Sequence, residues 1–148
     1  MSPSTRTLRR VAAGAACCAL TGTGLTVAAS PPATAAPGCR AVRPQADYYE
    51  GGRVVSEPLT VPANARCTTI SVKNIKDPQN RDDHCQTFLI EFTPADGERW
   101  YTEPVLACSA PPGGPEVVLA TDVPDGITYR VLFQIDYLGQ SLRYGIRH

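Results

Sequence analysis

Two cysteines set symmetrically about an Asp-Gly pair constrain this fold more than any other feature of the chain. The run Cys85-Gln86-Thr87-Phe88-Leu89-Ile90-Glu91-Phe92 and the run Arg99-Trp100-Tyr101-Thr102-Glu103-Pro104-Val105-Leu106-Ala107-Cys108 flank Thr93 to Glu98. Asp-Gly between apolar-aromatic runs predicts a two-residue hairpin turn, because both central positions need φ > 0. Cys85 precedes Asp96 by eleven residues and Cys108 follows Gly97 by eleven, so the ladder brings the two cysteines face to face. The same register places Trp100 opposite Thr93, on the face away from Phe88, Ile90 and Phe92. It also sets Glu103 opposite Ile90, on the apolar face. A lone buried carboxylate is costly. Either Arg99, two pleats away, pairs with Glu103, or Pro104 or Pro94 introduces a bulge that turns the carboxylate outward.

Similar punctuation occurs 46 residues earlier, where Cys39, Glu50-Gly51, Arg53, Glu57 and Pro58 align with Cys85, Asp96-Gly97, Arg99, Glu103 and Pro104. The expected form is two related hairpins, each opened by a cysteine and turned at an acidic residue plus glycine.

The first 35 residues read as a secretion signal. Arg6, Arg9 and Arg10 precede a weakly apolar, Ala-rich run from Val11 to Val27, and Ala33-Thr34-Ala35 supplies the small-x-small cleavage pattern, so Ala36 is the expected mature start. Residues 36–148 are then 113 of the 148, enough for a single domain. They hold all fourteen acidic residues and eleven of the fourteen basic ones, a net charge of −3. That balance, with no basic run, argues against nucleic acid or an anionic membrane as partner. Four cysteines remain in this part. In an exported protein they read as two disulfides, and the hairpin selects Cys85–Cys108, leaving Cys39–Cys67.

No stretch of residues 36–148 has a useful helical period. Seven to eight short strands separated by Gly/Pro turns predict an all-β, antiparallel sandwich. Val54 to Val61 suits an edge strand because Pro58 cannot donate to a ladder. Cys67 to Asn74 alternates, with Thr68, Ile70 and Val72 inward. Ile127 to Tyr137 is the clearest strand, with Tyr129, Val131, Phe133, Ile135 and Tyr137 on one face. Lys76 to His84 is a long polar loop, and Ser109 to Pro115 a Pro/Gly linker.

The stretch Val123-Pro124-Asp125-Gly126-Ile127-Thr128-Tyr129-Arg130-Val131 resembles the corner of fibronectin type III and related immunoglobulin-like sandwiches. In those domains a tyrosine at the start of the penultimate strand bonds back to upstream backbone. Tyr129 would be that residue, although the family's threonine sits two before its tyrosine and Thr128 is adjacent. The resemblance implies an immunoglobulin-like or fibronectin III-like fold and no activity.

Catalytic chemistry finds little purchase. A Ser-His-Asp site would have to assemble in space from residues such as Ser71, His84 and Asp82, which no motif links. Asp77, Asn80, Asp82 and Asp83 offer oxygen ligands for calcium, but without the EF-hand glycine or its closing glutamate. A solvated turn explains the same residues, so neither a metal nor a cofactor is expected. Arg99-Trp100-Tyr101 is the binding candidate, since Trp, Tyr and Arg dominate interface hot spots; the competing role for Trp100 is to cover one end of the core. The triplet resembles the Trp-Arg-Tyr triplet of tendamistat-type amylase inhibitors, which are small secreted two-disulfide β proteins. In that family the order differs and the triplet lies at a turn. The expectation is a secreted, non-enzymatic module that binds an extracellular macromolecule, most simply a protein. The alternatives are an inhibitor of a secreted protease or amylase and, more remotely, a small secreted hydrolase.

Overall fold

The computed structural model describes residues 38–64, 66–109 and 114–148. The expected signal segment, its cleavage at Ala36 and most of the Pro/Gly linker lie outside them. Among the described residues eleven strands form two antiparallel sheets: β1 (Ala41–Val42), β2 (Ala46–Glu50), β3 (Arg53–Ser56), β4 (Leu59–Thr60), β5 (Ile70–Lys76), β6 (Cys85–Thr93), β7 (Trp100–Tyr101), β8 (Val105–Cys108), β9 (Val117–Ala120), β10 (Thr128–Gln134) and β11 (Arg143–Arg147). Three of these, β1, β4 and β7, are two residues long. The eight longer strands match the number expected. The smaller sheet runs β1-β11-β5-β9; the larger runs β2-β3-β10-β6-β7, with β4 also on β10 and β8 on β6.

The core follows from period-two alternation. Phe88, Ile90 and Phe92 of β6 stand opposite Phe133, Val131 and Tyr129 of β10, so all six share one face. They meet Ile70, Val72, Leu119, Tyr144 and Ile146 of the smaller sheet in one buried cluster. Phe88 packs against both Phe133 and Tyr144, with ring centroids 6.1 and 5.1 Å away. Asn74, at φ 54°, bulges β5, and the inward set passes from Ile70 and Val72 to Ile75.

Both disulfides have the expected partners, Cys39–Cys67 and Cys85–Cys108. Cys85 lies opposite Cys108 and Phe88 opposite Val105, so the cysteine end of the hairpin holds the counted register. Its turn end does not. The Gly97 amide donates to the Pro94 carbonyl at 3.0 Å, closing a four-residue turn. Gly97 takes φ 90° while Asp96 stays out of the left-handed region that a two-residue turn would need. Trp100 therefore opposes Phe92, not Thr93. One extra residue between Tyr101 and Val105 restores the register, and this bulge leaves Glu103 exposed. Of the two readings of Glu103, the bulge is the one observed.

The two-residue turn sits in the other hairpin. Gly51 and Gly52, at φ 55° and 79°, join Glu50 and Arg53, which face each other across β2 and β3. The expected equivalence of the hairpins fails: one acidic residue ends a strand, the other lies inside a turn, and Cys39 bridges out of its own hairpin. Nor is β3 an edge, since it lies between β2 and β10; Pro58 falls in the break before β4, where no amide is needed.

Candidate functional site

The pairing of β7 with β6 decides where Arg99, Trp100 and Tyr101 point. Trp100 shares the inner face with Phe92 and stacks on it, ring centroids 4.0 Å apart and planes 23° from parallel. With β7 only two residues long and at the sheet edge, half of the indole stays in solvent, at 46 % exposure. Trp100 is thus half-exposed, on the face opposite to the one counted from the Asp-Gly turn. Trp100, Phe92 and Thr102 form one wall of a pocket of about 340 Å³, and Val118 to Thr121 around β9 form the other. Tyr101, 52 % exposed, pairs with Glu91 and so faces outward. The triplet thus presents an indole beside an apolar pocket on one face and a phenol on the other.

Arg99 has a different duty. Its Nη1 lies 3.1 Å from Oε1 of Glu91, whose side chain is only 2 % exposed. A carboxylate that deep needs a counter-charge. Arg99 supplies it from the solvent side instead of pairing with Glu103. Glu91 was the carboxylate to notice; its position on the outward face of β6 disguised it. That outward face is itself partly covered, with Val55, Leu89 and Leu132 buried in a second small cluster. Arg130 lies across the same face, ion-paired to Asp47 at 2.8 Å and 5.2 Å from the Tyr48 ring. Leu89 and Leu132 on the polar side of otherwise alternating strands were the sequence signal for this second layer.

The polar loop is tied down by hydrogen bonds. Asp77 is buried and accepts from the Gln79 amide at 2.7 Å, the Asn80 amide at 3.1 Å and the Tyr137 hydroxyl at 2.6 Å. The Tyr137 bond, aided by those amides and Gln140 and opposed by burial, holds the Asp77 carboxyl below its usual range. The same bond pushes the Tyr137 phenol up to about 12. Tyr137 consequently leaves the β10 face on which it was expected. Asp83 accepts from the Cys85 amide at 3.0 Å, while Asn80 and Asp82 are exposed. Among the described residues, no three His, Cys, Asp or Glu side chains gather as a ligand set. Ser71 donates to Glu116 at 3.0 Å. Burial alone would raise the Glu116 carboxyl, but Arg147, Lys73 and Ser71 together hold it low. Ser71 is thereby engaged at a structural carboxylate, with no bond to His84.

Tyr129 is fully buried, and among the described residues its hydroxyl meets no backbone group. It lies 2.9 Å from Nδ1 of His148, and the two rings meet edge to face with centroids 5.6 Å apart. The backbone corner bond expected for Tyr129 is therefore replaced by a side-chain bond to the last residue of the sequence. His148 is held in place by reciprocal backbone bonds with Arg40, at 2.6 and 3.0 Å.

Comparison of the chain with protein-family models, with curated proteins and with solved structures finds no match.

Proposed function

We propose that this is a secreted, non-enzymatic β-sandwich, of the immunoglobulin-like or fibronectin III-like type, that binds an extracellular protein through its hairpin edge. The observation that carries this reading is Trp100: a half-exposed indole, stacked on a buried phenylalanine, forms one wall of an apolar pocket. A rigid aromatic beside a pocket is the usual make-up of an interface hot spot. Tyr101 adds exposed aromatic area on the other face of the strand, and Arg99 keeps the strand in place through Glu91. The two disulfides accord with an extracellular setting. No described helix is long and apolar enough to cross a membrane.

The test compares wild type with Trp100→Ala and Tyr101→Ala as baits in medium from the producing culture. A partner recovered by wild type and lost with both variants supports the reading; equal recovery by all three overturns it. Trp100→Ala should cost about 2 kcal/mol of stability, roughly half the figure for a fully buried tryptophan. Circular dichroism and a urea midpoint then separate lost binding from lost fold. Wild-type emission should be quenched substantially by iodide.

The narrower reading is an inhibitor of a secreted hydrolase. It is favoured by the return strand that carries Trp100 and Tyr101, which the Cys85–Cys108 bridge ties to β6. An inhibitor needs such a pre-organised epitope. Undiminished activity across a panel of secreted proteases and amylases would eliminate it.

A further inference from the structure

A groove of about 730 Å³ opens where the chain between β1 and β2 passes the ends of β5 and β11. Arg43, Lys76 and Arg143 line it, and no acidic residue does. Among the described residues, which include every Asp and Glu of the chain, none of the three is ion-paired. All three are exposed. Lys76 and Arg143 are moreover direct cross-strand partners. Like charges directly opposite each other destabilise a ladder. The bulge at Asn74 creates the juxtaposition: Gly145 pairs with Lys73, so in continuous register Arg143 would face Ile75. The extra residue advances Lys76 into that place instead. Bulges commonly re-aim a side chain in this way.

We propose that this groove receives an extended acidic peptide segment of a protein partner, whose carboxylates neutralise Lys76 and Arg143 and engage Arg43. Guanidinium forks take carboxylates bidentately, and two of the three cations are arginines. The remaining lining favours a peptide over a phosphate-bearing polymer. Pro44 and Leu142 give apolar contact, while the Gln45 and Asn74 amides can both donate and accept. The groove also ends at Ala46, the first residue of β2. That strand is exposed along its length and forms an edge of the larger sheet, so a bound segment can continue as an added strand. No groove residue belongs to the Trp100 edge, and the proposal does not rest on binding there.

The experiment uses the full oxidised chain and a fluorescein-labelled peptide of alternating Glu and Val, followed by anisotropy at low ionic strength. Unlabelled decaglutamate and inorganic polyphosphate serve as competitors. Lys76→Gln and Arg143→Gln should each weaken binding by about tenfold, the loss of one charge-assisted bond. Arg81→Gln, which removes an exposed cation outside the groove, should leave it unchanged. Thermal melting of each variant checks the fold. Equal weakening by Arg81→Gln would reduce the effect to diffuse electrostatics and overturn the proposal. Stronger competition by polyphosphate than by decaglutamate, or no binding at low salt, would also overturn it.

Discussion

The hydroxyl of Tyr129 and Nδ1 of His148 share one hydrogen bond inside a site closed to solvent, so each side chain depends on the other. Among the described residues Nε2 of His148 is buried without a partner, which already costs stability. Tyr129→Phe orphans Nδ1 as well, and should lower stability by about 1–3 kcal/mol in urea unfolding. Tyr129→Phe combined with His148→Phe should cost less than the two single changes added together, because the pair leaves no unmet group behind. Burial, and secondarily the charge of Arg40, lowers the imidazole pKa. The unfolded chain therefore binds a proton at higher pH than the folded one. The histidine's contribution is present in full above its ordinary value of about 6.5 and lost as pH falls from there through the depressed folded value. His148→Phe should flatten that part of a stability–pH curve, and an unchanged slope would refute the assignment. The tyrosine's burial was legible from its place at the head of the best strand. Its partner was not, because the contact crosses from β10 of the larger sheet to the residue after β11 of the smaller, a proximity set by how the two sheets pack.

At the level of elements, the central hairpin shows where local signals stop being sufficient. Equal spacing fixed the cysteine end, where the register is as counted. At the turn, Pro94 and Gly97 formed a wider loop than Asp-Gly suggested, and a compensating bulge absorbed the difference. A shift of one residue exchanges the faces of every side chain it affects. That is why Trp100 is an inner-face residue and why Arg99 meets Glu91. Arg99→Ala should expose this dependence by leaving the buried Glu91 carboxylate unpaired, at about 1–3 kcal/mol. Adding Glu91→Gln should recover most of the loss; a variant no more stable than Arg99→Ala would show that the ion pair is incidental. The bulge of β5 offers the opposite test. Lys76→Glu turns a like-charged cross-strand pair with Arg143 into an attractive one. It should raise the denaturation midpoint by the equivalent of roughly 0.2–1 kcal/mol, while abolishing binding of an acidic peptide. Such a gain identifies a position where stability yields to another requirement. Nothing in the linear sequence announced it, since Arg43, Lys76 and Arg143 are far apart and only the fold makes them neighbours.

On the scale of the whole molecule, each sheet carries its own covalent tie. Cys39 and Cys67 precede β1 and β5 of the smaller sheet, and Cys85 and Cys108 lie on β6 and β8 of the larger. Neither bridge joins the sheets, unlike the inter-sheet bridge of antibody domains. Cohesion between layers therefore rests on the aromatic and aliphatic core, together with buried hydrogen bonds such as Tyr129 with His148 and the Ile75 amide to the Ser109 hydroxyl. The bridges span 28 and 23 residues. Loop closure over such lengths is worth roughly 3–4 kcal/mol each through the unfolded chain. Together that is comparable to the whole stability of an ordinary domain, about 5–15 kcal/mol. Replacing either pair by alanines should leave a folded protein with its midpoint in guanidinium lowered by the equivalent of about 3 kcal/mol. Because the bridges close separate, non-overlapping stretches of the chain, the two losses should add to within about 0.5 kcal/mol when all four cysteines are replaced. The quadruple variant should then be marginal at 25 °C, with Trp100 emission shifted toward that of the unfolded chain. A combined loss well below the sum would mean that one bridge already restricts the chain the other closes, and that the two sheets do not form as independently tied layers.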